Sequence, residues 1–94
     1  MDPISIRLDD DNYSPWKAEA LGKIQESNLE KFITMTDSGG RPPKSSEEYK
    51  IWKEQDQVLH TWLLASLHPK LLHQIEICKH ALDLWMEIEA YFFD

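Results

Sequence analysis

The chain has one cysteine in 94 residues, Cys78. No internal disulfide is available to it, and a lone thiol suits a reducing compartment. No apolar run is long enough to cross a bilayer, and the start lacks the basic residues and apolar core of a signal peptide. A cytoplasmic location is the expectation. Cations are scarce as well: ten Lys and Arg stand against seventeen Asp and Glu, a net charge of −7. Nucleic acid and anionic membranes are held by clustered Lys and Arg, so the scattered cations here argue against both as direct partners.

What the chain does have is apolar mass. The hydrophobic fraction is 41% with four Trp, enough for one compact core, and residues 1–94 read as a single domain. A long stretch free of Gly and Pro runs from Ser45 to Leu67. Ser45 and Glu48 match a capping box, and Glu47 and Glu48 put negative charge in the first turn, where the helix dipole favours it. Tyr49, Trp52, Leu59, Leu63 and Leu67 then recur along one stripe, which Val58, Trp62 and Ala65 widen. So wide an apolar arc predicts a central helix covered on more than one side.

Ahead of it, Ile4, Ile6 and Leu8 alternate with polar residues, the pattern of a short strand or extended arm. Asp9, Asp10 and Asp11 mark a solvated turn; they lack the spaced ligands and glycine of a calcium loop. Ser14-Pro15 predicts a helix start, with Trp16, Ala20 and Ile24 on one face and Tyr13 stapled across the cap. Gly22 weakens that helix, which predicts close packing against a neighbour. Asn28 is a candidate cap for a second short helix burying Leu29, Phe32 and Ile33. The loop from Asp37 to Pro43 follows, in which Arg41, Pro42 and Pro43 form a candidate partner-binding segment. Most such loops serve as plain connectors. His68-Pro69 ends the central helix and begins a fourth, with Leu71, Leu72 and Ile75 on its inner side. Ala81, Leu84, Trp85, Ile88 and Phe92 define a last helix. The abrupt Tyr91-Phe92-Phe93 ending predicts more chain in the parent protein. The expected architecture is all-α: about five helices around a long central one, with a short N-terminal extended arm.

Catalytic and metal chemistry find no foothold. His60, His68, His73 and His80 make no close ligand pair, and Cys78 and His80 are wrongly spaced for one helical face. No carboxylate pair sits in an apolar run that would tune it, and a Cys–His nucleophile would need a third orienting group. The expectation is a non-enzyme without a cofactor. Asp56 stands out because it interrupts the apolar stripe. Two placements fit it: a stripe edge with the carboxylate in water, or burial against the orphan N–H groups of another helix start, near Asn12 to Trp16.

These residues, taken in order, resemble the N-terminal part of the Gag polyprotein of copia-type LTR retrotransposons. The family's opening is a leucine, a polar run and N-Y-x-x-W, here Leu8 and then Asn12-Tyr13-Ser14-Pro15-Trp16. Its middle W-x-x-x-D with following hydrophobics is matched by Trp52, Asp56, Leu59 and Leu63. A leucine–proline joint follows at Leu67 and Pro69. The closing A-x-x-x-W-x-x-L-x-x-x-aromatic is met by Ala81, Trp85, Ile88 and Phe92, with Ile for Leu and with His80 where the family often has Ser or Thr. The resemblance implies the N-terminal lobe of a capsid-like domain, whose role is Gag–Gag self-assembly into a particle. It also implies structural parts for Asn12, Asp56, Ala81 and Trp85. The family's zinc knuckle, CxxCxxxxHxxxxC, does not occur here. A domesticated Gag-derived adaptor that binds a host protein is the alternative. For contact residues, Tyr13, Trp16, Trp52 and Trp62 are the candidates, since aromatics are enriched in interface cores as they are in fold cores.

Overall fold

The computed structural model describes residues 3–33, 44–75 and 80–92. Three α-helices are present among the described residues: α1 over Tyr13–Glu26, α2 over Glu47–Ala65 and α3 over Ala81–Phe92. The all-α class holds, but the expectation of about five helices is overturned. The two other expected helices are single 3-10 turns, Glu30–Phe32 and Pro69–His73. Three and five residues are too few to repay helix nucleation through i→i−4 bonds. The loop containing Arg41, Pro42 and Pro43, and Cys78, lie outside the described residues.

Helix starts differ by a residue or two from the sequence pattern, for reasons visible at each cap. Helix α2 begins at Glu47 with Ser46 as its cap; the Ser46 hydroxyl accepts from the Tyr49 N–H at 3.3 Å, so the expected Ser45–Glu48 box is not the one used. Helix α1 starts at Tyr13, with Asn12 rather than Ser14 at the cap position. The Asn12 carbonyl accepts from Trp16 N–H at 3.0 Å, while its side chain is engaged in the preceding turn. Asn28 does not begin a helix but ends one. It sits at φ 58, in the left-handed region. From there Asn28 N–H donates to Gln25 and Leu29 N–H donates to Ile24, the Schellman closure of a helix end.

The core gathers one face from every element. Trp16, Ala20 and Ile24 of α1, Leu59 and Leu63 of α2, and Leu84, Trp85 and Ile88 of α3 are buried together with Phe32, Leu71 and Ile75. Helix α2 packs mainly against α3. Helix α1 meets α3 through rings: Trp16 lies 5.9 Å from Trp85, and Tyr13 stacks on Phe92 at 4.7 Å. The broad arc expected for α2 is not buried: Val58 is 54% exposed, Ala65 is exposed and Trp62 only half-buried. Gly22 meets no close neighbour either, since a Cβ there would have nothing within 4 Å.

The arm forms no strand among the described residues. Leu8 makes one isolated parallel bridge to Leu67, its N–H donating to Ser66 at 2.8 Å and its carbonyl accepting from His68 at 2.9 Å. A single bridge suffices because Leu8 itself is fully buried, and apolar burial adds to what two hydrogen bonds contribute. Ser5 anchors the arm from the other side, donating through both its N–H and its hydroxyl to Glu19 at 2.5 Å.

Candidate functional site

The residues singled out in the sequence fall into two places in the fold. The first is a polar node between α2 and α3. Asp56 is 1% exposed, and its Oδ1 accepts from the Ala81 backbone N–H at 3.0 Å. Its Oδ2 lies 2.8 Å from His80 Nδ1 and 3.1 Å from the Gln57 side-chain amide. Asp56 therefore caps a helix from a distance, and the helix is α3 rather than α1. A carboxylate only accepts, so His80 presents a protonated Nδ1 at this contact. The negative group at the start of α3 also suits the helix dipole.

Trp52 roofs this node. Its ring centroid lies 5.4 Å from His80, 5.7 Å from Tyr49 and 6.1 Å from Phe32. Half-buried, it shields the Asp56–His80 contact from water on one side and strengthens it electrostatically. The spacing of Trp52 and Asp56, one helical turn apart, puts the roof directly beside the carboxylate. His80 escaped sequence reasoning as a member of this set. Its only signal was negative: a residue before Ala81 that is not itself a good cap.

The second place is the aromatic seam of α1 and α3. Trp16 is fully buried and Trp85 4% exposed, so both belong to the core and neither can touch a partner. The Trp16 Nε1 has no hydrogen-bond partner among the described residues, so its N–H is a buried unpaired donor. Tyr13 is half-buried beside a surface cleft lined by Lys17, Glu89, Ala90 and Phe92. The Lys17 ammonium stands 5.6 Å from the Tyr13 ring and 3.5 Å from Glu89. Burial pushes that ammonium down, while Tyr13 and Glu89 together push it further up, and the net shift is upward.

Trp62 lies apart from both, in a cleft shared with Ile4, Arg7 and Ala65 under the arm. Asn12 acts locally, with Oδ1 accepting from Asp9 N–H at 2.7 Å and Nδ2 donating to the Arg7 carbonyl at 2.8 Å. That closed turn points Asp9 and Asp10 toward Lys70, whose Nζ lies 2.6 and 3.1 Å from them. Lys70 holds the Asp9 carboxyl below its ordinary value, helped by the Asp10 backbone. The two acids in turn hold Lys70 above its own. Tyr91, which donates to Gln74 and Asp10, has its hydroxyl pushed up by burial and then by Asp10.

No group of His, Cys, Asp and Glu among the described residues has the arrangement of a metal site, and no helix among them is long and apolar enough to cross a membrane. The contacts of Asn12, Asp56 and Lys70 hold elements of the fold together. No family model, curated protein or solved structure matches the chain.

Proposed function

We propose that the chain is a non-enzymatic capsid-lobe-like module of the copia-type Gag kind, acting in the cytoplasm through self-association. The observation that carries this is the Asp56–Ala81 contact. It joins the W-x-x-x-D and A-x-x-x-W segments of the resemblance, which lie far apart in sequence. Leu8 on Leu67 and Trp16 on Trp85 link the remaining motif residues in the same way. Leu8, Trp16, Asp56, Ala81 and Trp85 thus have structural parts, which is what a shell subunit needs: a rigid body whose function lies on its outside. The buried position of Trp16 removes it from the contact surface and leaves Tyr13, Trp52 and Trp62 as the partly exposed members of that candidate set.

Light scattering against concentration tests the proposal, on the chain with and without residues 1–8. Growth of the mean mass with concentration is the expected result. A strict monomer throughout, in both forms, would sink self-association.

A further inference from the structure

The outer face of α2 is the one place among the described residues where two large aliphatic side chains stand exposed on a single helix. Ile51 is 60% and Val58 54% exposed, seven residues apart and so on one side of the helix. They border two adjoining shallow grooves, completed by Leu29 and by the stems of Lys50 and Lys53. Isolated apolar residues on a surface need no explanation, but paired ones beside an apolar groove mark a contact site.

Charge narrows the occupant. The whole chain carries −7, so two copies repel over most approaches. From Lys44 to Glu54 the exposed charges balance, with Lys44, Lys50 and Lys53 against Glu47, Glu48 and Glu54. Lys50 and Glu54 flank Ile51 on the same side, one turn apart, and neither has an ion-pair partner among the described residues. A strip with an exposed cation and an exposed anion one turn apart is complementary to itself when reversed.

We infer that this face binds a second copy of the chain, α2 against α2 in antiparallel two-fold fashion. The axis passes near Ile51. Lys50 of each copy then meets Glu54 of the other, Ile51 packs beside Ile51, and Val58 reaches the cap of the opposite helix at Ser46. Such a two-fold patch is the commonest route to closed association. Its small apolar content fits a weak contact that builds up by mass action in an assembly rather than an obligate dimer. The inference rests on the self-association proposed above and assigns it a face.

Charge exchange tests the geometry. Lys50→Glu alone sets acid against acid twice across the axis, and Glu54→Lys alone sets base against base. Each variant should dimerise about tenfold more weakly than wild type in sedimentation equilibrium. Mixing the two variants should restore association to near the wild-type level, because every cross-axis pair is then opposite in sign. Weakening of each single variant together with recovery on mixing marks an antiparallel pairing of these two positions, since a parallel one would already set like charges together in the wild type. Both side chains are exposed, so unchanged circular dichroism and melting serve as the folding control. If wild type associates but the variants and their mixture behave no differently from it, this face is wrong while self-association stands. A wild type that stays monomeric into the near-millimolar range overturns both.

Discussion

Asp56→Ala tests the polar node most directly. The substitution removes the acceptor of the Ala81 N–H and the partner of His80, in a position 1% exposed. Losing a helix cap costs about 0.5–2 kcal/mol, and a hydrogen bond to a charged group contributes about 1.5–3 kcal/mol. Stranding a partner of a fully buried ion pair, about 3–5 kcal/mol, is the ceiling for the loss. The upper figure is reduced here because the His80 side chain is 23% exposed and can turn to water. The expected loss is about 3 kcal/mol, a large part of the roughly 5–15 kcal/mol typical of a domain. Asp56→Asn keeps the shape and one acceptor for Ala81, so it should lose only about 1–2 kcal/mol. Urea unfolding followed by circular dichroism and Trp fluorescence gives both values. Hydrogen exchange should show the Ala81 amide freed in Asp56→Ala, with the α1 amides affected only through global unfolding. If Asp56→Ala lies within about 0.5 kcal/mol of wild type, the scale of a merely exposed polar residue, the capping account is wrong.

Gly22→Ala should stabilise the protein by about 0.5–1 kcal/mol, because α1 gains helix propensity and the added Cβ meets nothing within 4 Å. A lower melting temperature would reveal a neighbour at that position. Asn28→Gly should leave stability nearly unchanged, whereas Asn28→Val should cost about 1–2 kcal/mol, since φ 58 suits Gly and Asn but crowds a branched side chain; equal melting temperatures for the two variants would contradict the Schellman closure. The Asp9–Lys70 contact predicts a pH signature. Asp9 has a folded-state value below its ordinary 3.8, so its contribution is present above 3.8 and is lost as pH falls through the folded value. The melting-temperature gap between wild type and Lys70→Gln should be open at neutral pH and close on acidification below 3.8; a gap that stays constant would refute the pairing.

The local pattern determined a good deal. The stripe of Leu59 and Leu63, the Trp16–Ala20–Ile24 face and the Leu84–Trp85–Ile88 face are periodic in sequence and buried in the fold. They are legible because a helix's inner face repeats every three to four residues whatever it packs against. Short segments were less legible. Glu30–Phe32 and Pro69–His73 carry apolar residues at helical spacing, yet whether such a segment closes an α-helix depends on length and on what holds it, and both stop at a 3-10 turn. Val58 and Ala65 match the apolar stripe of α2 but find no neighbour to cover them. Periodicity reports which way a residue points and says nothing of whether another element lies there.

Asp56 shows the same division most sharply. Its place in an apolar stripe already required that burial be compensated by hydrogen bonds. Which groups would supply them was a question of tertiary contact, because the donors at His80 and Ala81 lie more than twenty residues along the chain. Periodicity set the helical faces and left Asp56 either in water or in need of a partner. Only the packing of α2 against α3 decided that the partner is the start of α3, and left Ile51 and Val58 on the outside.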